Sequence, residues 1–293
     1  RNMKFLIVAA LAALALASSR GSWSIDRPLQ AKTEYRYKYE GSVMTGLPVQ
    51  NTDVTLTRIR SDVHVQMTDD RTLLLRLKEV RLAASHTDEP TPSRTESLSF
   101  VPLEALEDRQ IAKEHQRMLE EPVRCVYRNG MISEIQFSSD DEAWSKNIKR
   151  AVLNMLQINL DKTGRTTDNK EMYDEVSEEL KQNDFYSVVE KTLEGDCEVS
   201  YTIVREEQWT TVTKSINFDK CTGRPDIKYN MRFESECDDC EKQNDLVQPQ
   251  TVYTYRIEKD TIKNVDVRSI YSVSLKDEPY MKTEIKARLT LEK

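Results

Sequence analysis

Residues 128–160 read RNGMISEIQFSSDDEAWSKNIKRAVLNMLQINL, a turn and a strand that run directly into a helix. Asn129-Gly130, between PVRCVY and MISEIQF, is a two-residue hairpin signal, because both central positions of a type I′ turn need positive φ. The strand then stops at a polar run. Ser139, followed three residues later by Glu142, has the spacing of a capping box, which predicts a helix over 140–160. Trp144, Ile148, Ala151, Val152, Met155 and Asn159 share one face of that helix, and Leu153, Leu156 and Leu160 widen it beyond a surface stripe. Such a helix needs cover over most of its circumference. Lys146, Lys149 and Arg150 crowd its first half and predict one charged edge that reaches water.

The same stretch carries a family resemblance. RNGMISEIQFSSDDEAWSKNIKR resembles the amino-terminal region of vitellogenins, egg-yolk lipoproteins of the large lipid transfer family, in a wording close to the nematode members. Further similar segments follow the family order: EYRYKYEGSVMTGLP from Glu34, EGDCEVSYTIV from Glu194, KSINFDKC from Lys214, SECDDCEK from Ser235 and QTVYTY from Gln250. They span almost the whole chain after its leader, and none of them is a catalytic motif.

At the front, Lys4 to Ala17 has a basic start, the apolar run FLIVAALAALALA, and small residues Ala15 and Ala17 near a cleavage point. That is the pattern of a secretory signal, too short to span a bilayer comfortably as an anchor. Residues 1–17 are therefore expected to be leader and signal peptide, with Met3 as the natural start, and residues 18–293 the mature domain. With 32% charged residues, a net charge of -7 and a mean hydropathy of -0.66, no nucleic-acid partner is expected from bulk charge.

Period-two alternation is plain along the chain. Tyr35, Tyr37 and Tyr39 alternate with charged residues; Val63, Val65 and Met67, then Leu73, Leu75 and Leu77, repeat the rhythm; Met281 to Leu291 alternates throughout. Each predicts a strand with one dry face. About ten such strands, too many for a flat open sheet, predict a mainly β fold with a minor α part: a large antiparallel β-barrel-like sheet wrapped around one central helix. The resemblance implies the same fold, of the lipovitellin N-sheet type. Two stretches depart from the rhythm. Glu89 to Ser99, with Pro90 and Pro92, reads as a loop, and Leu103 to Glu121 as a short polar helix. Lys162 to Asp184 is charged and poor in apolar residues, as a flexible connection would be.

The five cysteines are Cys125, Cys197, Cys221, Cys237 and Cys240, and a secreted chain is expected to oxidise them. The segment between Cys197 and Cys221 reads as a hairpin turning near Glu206-Glu207, so a bridge there would tie its open end. The resemblance implies the bridges Cys197–Cys221 and Cys237–Cys240 and leaves Cys125 unpaired, a buried thiol acting as a small hydrophobe. A zinc site is disfavoured, since a single C-x-x-C stands where a ribbon needs two and His64, His86 and His115 lie far upstream. Thiol redox chemistry is disfavoured by Glu236, Asp238, Asp239 and Glu241, which surround the pair with negative charge and oppose the thiolate.

No G-x-S-x-G, P-loop or dinucleotide fingerprint occurs, so no enzyme, catalytic residue, metal or cofactor is expected. The resemblance implies a secreted, extracellular yolk lipoprotein precursor. Its full-length form would carry phospholipid and neutral lipid, serve oocytes as a nutrient reservoir, form a homodimer, and enter oocytes through a receptor of the low-density-lipoprotein receptor type. Such receptors grip basic side chains. Lys146, Lys149 and Arg150 are the first candidates for that contact, because spacings of three and four group them on one edge; Lys32, Arg36 and Lys38 are the second choice. Alternatives are a microsomal triglyceride transfer subunit, a lipophorin, a stand-alone extracellular binding barrel, or a secreted thiol oxidoreductase.

Overall fold

The computed structural model describes residues 28–46, 54–87, 106–159, 183–192, 195–223, 247–275 and 278–292. The expected signal peptide, the Cys237–Cys240 pair, the loop near Pro90 and the linker after Lys162 lie outside the described residues.

Among the described residues twelve strands form one sheet: β1 (Thr33–Gly46), β2 (Val54–Met67), β3 (Thr72–Thr87), β4 (Arg109–Gln110), β5 (Val123–Arg128), β6 (Met131–Gln136), β7 (Asn183–Thr192), β8 (Gly195–Arg205), β9 (Thr210–Thr222), β10 (Val247–Glu258), β11 (Thr261–Leu275) and β12 (Glu278–Leu291). Among the described residues two helices join them, α1 (Lys113–Glu120) and α2 (Ala143–Leu156). The spatial order is β6-β5-β3-β2-β1-β12-β11-β10-β9-β8-β7, with the two-residue β4 paired to β3. All pairings are antiparallel, as short hairpin connections allow, and among the described residues the path leaves β6 and β7 as free edges.

One face of this sheet wraps the core. Tyr35, Tyr37 and Tyr39 are buried there, as are Val63, Val65, Met67, Leu73, Leu75 and Leu77. Val152, Leu153, Met155 and Leu156 of α2 complete the same cluster. The side-chain period of two sends every second residue of each strand to this face, which is why the alternation of the sequence could be read so directly. The hairpins follow their turn residues. Asn129 and Gly130 take φ 52° and 80° between β5 and β6, and Glu206 N–H donates to the Trp209 carbonyl at 2.9 Å where β8 turns into β9.

The helix differs from its expected form. It starts at Ala143, with Glu142 as an N-cap that makes no side-chain capping bond. The expected capping box does not form, because the chain first makes a turn in which Asp141 N–H donates to the Ser138 carbonyl at 3.2 Å, and Ser139 Oγ turns to the Asp140 carboxylate. It ends at Leu156, so Asn159 lies outside the helix and Gln157 is already extended. Trp144 and Ile148 are only half-buried at the helix start, whereas Val152 and Met155 are enclosed.

Residues 157–159 link the two free edges. Ile158 N–H donates to the Gly130 carbonyl at 2.9 Å, beside β6. Gln157 Nε2 donates to the Lys191 carbonyl of β7 at 2.8 Å. Tyr186 O–H donates to the Asn159 carbonyl at 2.6 Å, and Tyr255 O–H to that of Gln157 at 2.7 Å. The carbonyls beyond the end of a helix lack intrahelical donors, and here tyrosines from the wall supply them.

Candidate functional site

The receptor-contact candidates on α2 separate once α1 is in place. Lys149 is fully buried: its ammonium donates to Asp141 Oδ2 at 2.6 Å and to the Met118 carbonyl at 2.7 Å. It is therefore no receptor contact. The end of α1 packs against α2 and covers the edge that was expected to be wet. Two polar atoms beside it, Asp141 Oδ1 and Ser145 Oγ, are buried with no hydrogen-bond partner among the described residues. Arg150 stays exposed, its guanidinium 4.8 Å over the Phe137 ring and 3.3 Å from Asn147 Oδ1. Lys146 is half-buried. Of the second-choice residues, Lys32, Arg36 and Lys38 are exposed. Arg36 pairs with Glu34 and Lys38 with Asp62.

Reading the sequence did not single out a second buried ion pair. Lys214 of β9 and Glu190 of β7 contact each other with both side chains wholly enclosed. Tyr201 O–H donates to Glu190 Oε2 at 2.8 Å, and the Lys214 ammonium lies 5.3 Å from the Tyr253 ring centre. Asn154 Nδ2 of α2 donates to Tyr253 O–H at 2.6 Å. The signal was available: Lys214 stands in the inward register with Val212 and Ile216, and Glu190 in that with Tyr186 and Val188. Buried charges of this kind need a partner and further hydrogen bonds, and Tyr201 and Gln157 supply them.

Cys197 and Cys221 are joined by a disulfide at the open end of the β8–β9 hairpin. Cys125 is a buried free thiol, pushed up to about 12 by burial; a thiol so far from its thiolate is a poor nucleophile. On the outer face, Asp108 receives Arg58 at 2.7 Å and Arg60 at 3.0 Å. Burial raises its carboxyl, but the two guanidiniums outweigh it and hold the group below the usual range. Leu106 joins Met44, Val54 and Leu56 in a small second core on that face. Among the described residues no group of His, Cys, Asp and Glu is arranged to hold a metal, and no helix is long and apolar enough to cross a membrane.

The chain's fold is similar to that of a solved lipovitellin structure, described in terms of its lipid–protein interactions. The match covers 90% of this chain and 25% of that one at a TM-score of 0.65 and 21% identity, and it defines the fold. The family follows from sequence: the vitellogenin N-terminal domain model matches residues 29–293. The chain belongs to the vitellogenin family. It is 43% identical to Vitellogenin-2 of Caenorhabditis elegans over 290 residues, 99% of this chain and 17% of that protein. It is 36% identical to Vitellogenin-6 of Oscheius tipulae, over 91% of this chain and 15% of that protein. A vitellogenin of Acipenser transmontanus is 26% identical over 75% of this chain. The chain thus spans under a fifth of the length of these relatives.

Proposed function

We propose that residues 18–293 are the amino-terminal domain of a secreted yolk lipoprotein precursor, which carries phospholipid and neutral lipid through body fluid and nourishes the oocyte. The vitellogenin match over residues 29–293 carries this reading. The geometry refines it. The concave face of the sheet is filled by α2 and by inward tyrosines, of which Tyr186, Tyr201 and Tyr255 bond the 157–159 segment through their hydroxyls. Among the described residues that space is packed with side chains and has no room for a lipid load, so the domain serves as a structural and recognition unit, and the lipid belongs to the remainder of the longer protein.

Recognition by a receptor of the low-density-lipoprotein receptor type is the second part of the proposal, with Lys146 and Arg150 as the helix residues still accessible to it. Full-length protein, fluorescently labelled and supplied to oocytes, should accumulate in yolk and yield extractable phospholipid and neutral lipid. Exclusion from oocytes, or a lipid-free preparation, would count against the carrier reading. Lys146→Glu with Arg150→Glu should slow association with receptor ectodomain and steepen no other property; unchanged association by the folded variant removes the helix from the contact.

A further inference from the structure

On the outer face of the sheet, the pairing register lines up cations from neighbouring strands. Arg36 of β1 stands opposite His64 of β2, and His64 opposite Arg76 of β3. The row on one side is Lys38, Asp62 and Lys78; the row on the other is Glu34, Gln66, Leu74 and Arg124, the last on β5. Five permanent cations and a histidine thus meet Glu34 and Asp62 within these rows, with two acids at the margin: Glu292, 3.7 Å from Lys38, and Asp69, whose carboxyl is held down in part by the charge of Arg124. In a chain of net charge -7 this is a local reversal of sign. No two permanent cations stand directly opposite one another: His64 separates Arg36 from Arg76 and Asp62 separates Lys38 from Lys78, so an anion laid across the rows meets several spaced cations.

The balance within the patch leaves cations over. Arg36 is engaged with Glu34 at 3.2 Å and Lys38 with Asp62 at 2.6 Å, and His64 Nδ1 lies 3.2 Å from Glu34 Oε1. Arg76 and Lys78 form no ion pair among the described residues. Strands lie about 4.8 Å apart, so the row from Arg36 to Arg76 runs about 10 Å straight across three strands.

The shape and chemistry of the patch favour one class of partner. Protein interfaces are centred on aromatic or aliphatic anchors in dry pockets. The only large apolar side chain in these rows is Leu74, and it is half-buried in the sheet surface. A row of guanidinium and ammonium groups, exposed at Arg36, Lys38 and Arg124 and half-buried at Arg76 and Lys78, suits instead a linear polyanion, whose oxyanions accept charge-assisted hydrogen bonds from the guanidinium fork. We propose that the outer face of β1, β2, β3 and β5 binds a sulfated polysaccharide, with sulfates seated along Arg36, His64 and Arg76 and flanked by Lys78 and Arg124. This assignment is independent of the yolk-carrier reading and uses a face distinct from α2.

The test is binding to immobilised heparan sulfate near neutral pH across a salt series, with the 293-residue chain and the full-length protein. Arg76→Gln, Lys78→Gln and Arg124→Gln together form the main variant, since Arg76 and Lys78 can be neutralised without breaking an ion pair. Binding should fall steeply as salt rises, because counterions are released from the polyanion. The triple variant should bind at least about tenfold more weakly at low salt, while Lys146→Gln with Arg150→Gln leaves affinity unchanged; equal urea midpoints show that all variants are folded. A chain that fails to bind at low salt overturns the assignment, as does a triple variant that binds like the parent. Equal retention on polyglutamate with the same loss in the variant would give the face to an acidic protein and overturn it too. Should the triple variant unfold, Arg36→Gln alone carries the test, with loss of binding expected and full retention overturning it.

Discussion

Gly130 and Ile158 touch through their backbones. Ile158 N–H donates to the Gly130 carbonyl at 2.9 Å, and a Cβ on Gly130 would sit 1.9 Å from the Ile158 carbonyl oxygen. Gly130 also holds φ 80°, a region that costs an L-residue on its own. Gly130→Ala should therefore destabilise the domain by at least about 2 kcal/mol, from strain and displacement of the 157–159 segment together. Asn129→Gly, which keeps the turn and meets no such wall, should stay within about 0.5 kcal/mol of the parent. Urea midpoints of the two variants check the contrast.

Lys149 and Asp141 test the helix cover. Lys149→Met leaves a carboxylate buried without its cation, a loss of about 3–5 kcal/mol. Lys149→Met with Asp141→Leu should recover most of that. A double-mutant cycle by chemical denaturation reads the coupling directly; additive losses would mean that the pair is not formed.

The disulfide closes a loop with a sequence separation of 24. Replacing Cys197 and Cys221 by Ala together should lower stability by about 3.5 kcal/mol in the chain-entropy account. Cys125, with its thiol pushed up to about 12, should resist alkylation in the native protein and react only on unfolding. Mass spectrometry after native and denatured labelling measures both.

Asp108 supplies a pH dependence with a definite sign. Its folded carboxyl is held below the ordinary range, so its contribution is present above the unfolded value, about 3.9, and disappears as pH falls through the folded value. The parent should exceed Asp108→Asn in urea midpoint at neutral pH, and the gap should close as the pH is taken below about 4. A gap that stays constant down to full protonation would remove Asp108 from the Arg58–Arg60 cluster.

Val152 is wholly enclosed. Val152→Asp should prevent folding and secretion by burying a charge with no partner, scored as loss of the protein from culture medium. Normal secretion would contradict the enclosed helix.

Much of the sheet could be read from the alternation of residues such as Tyr35, Tyr37 and Tyr39, because strand geometry writes burial into sequence with a period of two. Where a second layer intrudes, the rule fails. Further along β1 the buried side switches to Ser42 and Met44 while Val43 is 41% exposed, and the pairing register does not slip. The segment carrying Leu106 and Asp108 covers the outer face there, and nothing in the β1 sequence announces it. The candidate site was less legible for the same reason. Lys149 reads as an exposed helix residue until α1, thirty residues upstream in the chain, is laid over it. The helix end was hidden too, since Gln157 leaves the helix for tyrosines nearly a hundred residues away.

The pairing of β1 with β12 sets a timetable. Tyr37 is opposite Leu291 and Val43 opposite Ile285, so one side of β1 meets its partner only after roughly 250 further residues have left the ribosome. The strand can zip to β2 early through the other side, but contacts this remote in sequence are slow to find. Until then a newly made chain presents an unsatisfied strand through its middle, the kind of surface that draws other nascent chains. Slowing elongation before β12 should therefore prolong the exposure of that edge and send more of the newly made chain to degradation.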